Sequence, residues 1–152
     1  TGLGAQLGNV KHGIGTKRPF RFLTFKGKTA EELKMALQSL KLPGLYYRIM
    51  TLDNPSGRKE EGVYLIISDW QNWQPTALAF AMMQLTARWQ DPNPFLAAKE
   101  SEATLFNKHV GSSDWWNYLV SAGRTVDPSP FLEKWKIQVS EFRKQTKPFL
   151  LY

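Results

Sequence analysis

The sequence predicts an α+β fold, a small mixed β-sheet packed with about four to five α-helices. Three observations lead there. Two runs rich in β-branched and aromatic residues flank a turn-like segment, several stretches carry apolar residues at helical spacing, and proline and glycine punctuate the boundaries between them. At 152 residues the chain has the size of one domain able to bury its own core.

Residues 1–16 carry Gly2, Gly4, Gly8, Gly13 and Gly15 with little apolar periodicity. They read as a lead-in that needs a neighbour to order it, and residues 17–152 read as the domain proper. An extended run spans Phe20 to Phe25. Thr29-Ala30-Glu31-Glu32 then has the form of a capping box, opening a helix with Leu33, Ala36, Leu37 and Leu40 on one face and stopped by Pro43-Gly44. Leu45 to Met50 and Gly62 to Ser68 read as strands either side of the turn Asp53-Asn54-Pro55-Ser56-Gly57. The near-continuous apolar character of the second predicts a central strand buried on both faces. Asp69 at its carboxyl end leads into the loop Trp70-Gln71-Asn72-Trp73-Gln74.

Pro75 opens the next helix, with Leu78, Met82, Leu85 and Trp89 on one side, and the DPNP of residues 91–94 stops it. Beyond lie a short segment around Leu105-Phe106, a helix from about Ser113 to Ala122 closed by Gly123, and a last helix entered through Asp127-Pro128 and running to Thr146. Pro148 separates it from the terminal Phe149-Leu150-Leu151-Tyr152. No repeat or low-complexity tract interrupts this order.

Twenty Lys and Arg against 13 Asp and Glu give a net charge of +7, which favours anionic partners without choosing among them. The absence of cysteine excludes disulfides, thiolate metal sites and a Cys nucleophile, and leaves the compartment open. No apolar run approaches the roughly 20 residues of a membrane-spanning helix, so no transmembrane segment is expected. The start at Thr1, with neither initiator Met nor signal peptide, reads as a processed product or a piece of something longer.

The chemistry-bearing residues are few. His12 and His109 are the only histidines, which excludes HExxH and multi-His zinc sites; no metal and no cofactor is expected. There is no GxSxG elbow and no Walker spacing around GIGTKR. Glu60-Glu61, Glu100 and Glu102 read as solvated carboxylates rather than a facing pair, so no catalytic residue is assigned to this chain. The basic final helix carries Lys134, Lys136, Arg143, Lys144 and Lys147 around Phe131, Trp135, Val139 and Phe142. Glu133 and Glu141 break up its positive field, so it reads as a solvated face and nucleic acid is not an expected partner.

Two loops remain. In Gly13-Ile14-Gly15-Thr16-Lys17-Arg18-Pro19-Phe20, glycines free the backbone, Pro19 fixes it, and Arg18 offers a planar fork of donors. The residues alone leave both a solvated basic loop and a ligand-facing one open. Among six tryptophans, Trp70 and Trp73 sit in a polar loop and are candidate sugar platforms, beside Asp69; a structural role for the pair stays open too. Trp89 and Trp135 read as core, and Trp115 and Trp116, being adjacent on a helix, are not expected both to point inward.

GTKRPF, then GVYLIISDWQNWQP, then FNKHVGSSDWW with its following helix and terminal FLLY, resemble in that order the carboxyl-terminal portion of the bacterial exo-β-N-acetylmuramidase family, long catalogued as a domain of unknown function. The resemblance covers the chain from about Gly13 to Tyr152. It implies a cleft-forming carboxyl-terminal domain whose partner, a Rossmann-like amino-terminal domain of the same protein, carries the catalytic carboxylates; residues 1–16 would then be the linker from it. It implies peptidoglycan-derived muramic acid glycosides as substrates in cell-wall turnover, and a periplasmic or secreted setting in the bacterial envelope. Under it, Arg18 pairs with the lactyl carboxylate or its attached peptide, Thr16 and the glycine amides meet hydroxyls, and Asp69, Trp70 and Trp73 face the cleft. The family pattern has a Glu and a Gly-Ala-Pro-like turn where this chain has Arg21-Phe22-Leu23-Thr24, and a Cys where it has Glu61, departures that leave open either a different substrate preference or a divergent paralogue. The competing class is a stand-alone, non-enzymatic glycan- or nucleic-acid-binding module.

Overall fold

The β3–β4 hairpin organises the sheet in the computed structural model, which describes residues 2–150. Asn54 Oδ1 accepts hydrogen bonds from the Ser56 and Arg58 amides, each at 3.0 Å, closing the turn between β3 (Leu45–Asp53) and β4 (Lys59–Ile67). The turn fixes a nine-pair register from Asp53↔Lys59 to Leu45↔Ile67. β2 (Phe22–Phe25) pairs antiparallel with the other edge of β4, and β1 (Val10–Lys11) pairs with β2, giving the order β1-β2-β4-β3. The α+β class is the one expected, with pairings that are antiparallel throughout where a mixed sheet was anticipated; hairpin-length connections permit nothing else between β3 and β4.

Six α-helices lie among the described residues: α1 (Ala30–Ser39), α2 (Pro75–Trp89), α3 (Pro94–Ala97), α4 (Glu100–Val110), α5 (Ser113–Ala122) and α6 (Ser129–Thr146). The α1 capping box forms as the sequence predicts, Thr29 Oγ1 accepting from Glu32 N at 3.1 Å while Glu32 Oε2 accepts from Thr29 N at 2.8 Å. α4 is longer than the short segment expected around Leu105. Only Phe106 on it is fully buried, so its periodicity is faint, and its ends are set by Glu102 accepting from the Lys99 amide and by Gly111 in the left-handed region.

Two apolar cores share α2. Leu78, Met82 and Leu85 pack with Leu23, Leu33, Leu37, Val63 and Leu65 against the sheet and α1. Phe80, Met83 and Ala87 pack with Phe95, Phe106, Trp115, Leu119 and Val126 against α3 to α5. Every residue of α2 from Ala77 to Ala87 is therefore buried, Gln84 included, whose amide donates to Val126 O at 2.9 Å. Trp89 and Trp135 pack against the two cores, half-buried. Trp115 and Trp116 correct the expectation that they could not both be interior, being 0% and 8% exposed. Successive residues on a helix point about 100° apart, and α5 is covered on two sides: Trp115 meets Phe80 and Phe131, whereas Trp116 meets Phe95 and Phe106.

The expectation that β4 is buried on both faces also needs correction. Val63 and Leu65 are buried in the first core, but Tyr64 and Ile66 on the opposite face are only half-buried. α1 and α2 contribute to the same side of the sheet, leaving the outer face to the 12–21 loop. The glycine-rich segment finds its neighbour in α2. A side chain at Gly4 would stand 2.7 Å from Ala79 O, so only glycine allows that approach, and Val10 is buried beside β2. Thr1, Leu151 and Tyr152 lie outside the described residues, and with them the end of the FLLY motif.

Candidate functional site

The 13–20 loop is a closed structure built on its own hydrogen bonds. Phe20 N donates to His12 O at 2.7 Å, and Thr16 N donates to Gly13 O at 3.0 Å. Gly13 has φ 76° and is packed so closely that a Cβ would stand 2.6 Å from Arg18 O. Phe20 adopts φ 62°, unusual for a bulky residue, and stacks on the His12 ring at 5.2 Å. The Thr16 hydroxyl donates to Gly13 O at 2.7 Å and accepts from Arg18 N at 3.1 Å, so it presets the arginine's backbone.

Arg18 lies over the Tyr64 ring with its guanidinium carbon 5.6 Å from the centroid. Arg21, which the sequence did not single out, lies over the same ring at 5.0 Å and donates from Nε to Leu65 O at 3.1 Å. Among the described residues neither arginine forms an ion pair with a carboxylate. Arg48 stands directly across from Tyr64 in the β3–β4 register. A strand alternation could have placed Tyr64 on the outer face, but only the tertiary pairing brings the arginines to it.

Beside the loop is a cavity of about 450 Å³, lined by Lys11, His12, Thr16, Thr24, Asn54 and Glu60 among others. Glu60 is committed there, 3.5 Å from Lys11 Nζ and accepting from the Thr24 hydroxyl at 3.2 Å. Glu61 is adjacent on β4 and so points to the other face. Burial pushes the His12 imidazole below its usual value, although its backbone hydrogen bond opposes the shift. His109 bonds with the Gln6 side chain near the end of α4. No group of three or more His, Asp or Glu able to hold one metal ion occurs among the described residues.

The second loop is tied by Asp69. Its Oδ1 accepts from Gln71 N at 2.9 Å and Asn72 N at 3.2 Å, and its Oδ2 accepts from Asn72 Nδ2 at 2.7 Å. The Asn72 bonds hold its carboxyl below the usual range. Trp70 at the tip is 70% exposed, while Trp73 is half-buried against the first core. The two loops meet at a small cavity of about 230 Å³ that Phe20, Arg21 and Trp73 line together with Leu65, Ile67 and Leu78. Trp73 also borders a groove of about 850 Å³ between the start of α2 and α6. No residue of α6 is buried. Phe131, Leu132 and Trp135 lean on the second core, and Ile137, Val139 and Phe142 are exposed beyond them.

Compared with known proteins, the whole chain, residues 1–152, matches the family model described as exo-beta-N-acetylmuramidase NamZ, C-terminal. A crystal structure of a DUF1343 family protein from Bacteroides fragilis is similar with a TM-score of 0.80 and 26% sequence identity. The match covers 99% of this chain and 40% of that one, so the chain spans well under half the length of its structural neighbour. Comparison with curated proteins finds no match. The family's description as carboxyl-terminal implies a partner domain on its amino-terminal side. An expectation first raised by GTKRPF and the DWQNWQP loop is thereby met over the full length: the chain belongs to the exo-beta-N-acetylmuramidase NamZ C-terminal family.

Proposed function

We propose that this chain is the auxiliary, cleft-forming domain of an exo-β-N-acetylmuramidase-like hydrolase that removes terminal N-acetylmuramic acid from peptidoglycan fragments during wall turnover in the cell envelope. The observation that carries this reading is the guanidinium of Arg18, held on Tyr64 by a preset loop with no carboxylate partner among the described residues. In a chain of this family, a cation so placed suits the lactyl carboxylate that distinguishes muramic acid from its uncharged relatives. The glycosidic chemistry needs a facing pair of carboxyls. Those groups belong to the Rossmann-like amino-terminal domain, and this domain contributes binding and orientation. Arg18 holds the anion, the loop at Thr16 and its glycine amides meets sugar hydroxyls, and Trp70 offers a flat face from the Asp69 to Trp73 loop.

The test is hydrolysis of an N-acetylmuramic acid glycoside by the two-domain protein and by this chain alone. Turnover by the two-domain protein, none by the chain, and a KM raised about tenfold by Arg18→Ala are expected from loss of a charge-assisted bond. Hydrolysis by the isolated chain would overturn the division of labour, and an unchanged KM in Arg18→Ala would remove the role given to that residue. Tight binding of wall fragments by the chain alone would instead favour a stand-alone glycan-binding module.

A further inference from the structure

We propose that the outer face of the sheet is a subsite for a carboxylate-bearing sugar, with Arg18, Arg21 and Arg48 gathered round Tyr64 and Tyr46 exposed beside them. The sugar's identity as muramic acid rests on the proposed function; the recognition chemistry does not. Three facts place these residues together. Arg18 and Arg21 both lie over the Tyr64 ring. Arg48 is the cross-strand partner of Tyr64, and Tyr46 is the partner of Ile66 two residues along, so all four share one face. Among the described residues, the helices that share the first core with the sheet, α1 and α2, pack on the opposite face with Val63 and Leu65, and Tyr46 is 67% exposed.

A guanidinium held over an aromatic ring by cation–π attraction still has N–H donors to offer a carboxylate. Arg21 spends Nε on Leu65 O and keeps its terminal nitrogens. The Arg48 side chain is exposed and, among the described residues, makes no ion pair. Glu60 is the acidic residue on the same face of β4, but it lies four residues away, about 13 Å along the strand, and is bound to Lys11 and Thr24. Three cations brought to one ring repel one another, and a bound carboxylate relieves that repulsion. Tyr46, one side-chain step from Arg48 on the same strand, supplies a flat surface for the apolar face of the ring that bears the carboxylate.

The probes are N-acetylmuramic acid and N-acetylglucosamine, which differ by the lactyl group and its carboxylate, titrated into the 152-residue chain and followed by amide NMR. The acid is expected to bind more tightly and to shift the resonances of Tyr46, Arg48 and Tyr64. Arg48→Met should weaken the acid about tenfold and the uncharged sugar less than about twofold, as expected for loss of one charged hydrogen-bonding group. Tyr46→Ala should weaken both. Equal effects of Arg48→Met on the two sugars, or shifts confined to the Trp70 loop, overturn the subsite. So does failure of either sugar to bind together with an unchanged KM for Arg48→Met in the two-domain protein. If the two-domain protein hydrolyses no muramic acid glycoside while the chain still prefers the carboxylated sugar, the parent reading falls and the subsite stands.

Discussion

Gly13 and Gly57 form a matched pair for separating backbone strain from crowding. Both have φ 76°, yet a Cβ at Gly57 would meet nothing within 4 Å, whereas at Gly13 it would stand 2.6 Å from Arg18 O, 3.0 Å from Phe22 O and 3.1 Å from Phe22 Cβ. Holding an L-residue in the left-handed region costs about 1–2 kcal/mol, so Gly57→Ala should lose that much and no more. Gly13→Ala carries the same cost plus displacement of backbone atoms that have nowhere to yield, about 1–3 kcal/mol further by analogy with overpacking. In urea, with a slope of about 2 kcal/mol per molar, Gly13→Ala should reach its midpoint at a concentration lower than Gly57→Ala by roughly 0.5–1.5 M. The loop should also move, taking Arg18 off Tyr64 and changing the Tyr64 ring resonances, while Gly57→Ala leaves them alone. Equal midpoints for the two variants would refute the claim that the loop is fixed by close packing under Arg18.

Two further outcomes test other parts of the structure. Asp69 has a lowered folded pKa, so its contribution is present above the unfolded value and lost as pH falls through the folded one. The Gln71 and Asn72 amides should accordingly titrate with a midpoint below that of an ordinary aspartate, and Asn72→Ala should move the midpoint up; an unmoved midpoint would remove Asn72 as the main cause. Trp115→Ala should cost about 3–5 kcal/mol in chemical unfolding, and Trp70→Ala within about 0.5 kcal/mol of nothing; comparable losses would mean that burial does not separate core tryptophans from the exposed one.

What could be read from the sequence was whatever is settled within a few residues. Thr29 and Glu32 cap one another three positions apart, Asn54 closes the hairpin from inside its own turn, and Pro75 begins α2 where its missing N–H does no harm. The inward-facing stripe of Leu78, Met82 and Leu85 was visible because its spacing is helical, but burial of the opposite stripe depends on α3 to α5, which no local pattern announces. The same limit explains Trp116, acceptable inside only because α3 and α4 cover its side of α5. At the candidate site, Arg18 could be singled out by its glycine and proline neighbours. Arg21, Arg48 and Tyr46 could not, since what unites them is a register between strands far apart in the chain.

α2 touches both cores, and its consequence is for cooperativity. A helix whose two sides belong to different clusters cannot be released from one while remaining packed in the other, and the amino-terminal turn rests on it as well. The sheet and the helical layer are therefore expected to melt together, with the amides in the middle of α2 exchanging with solvent only on global opening.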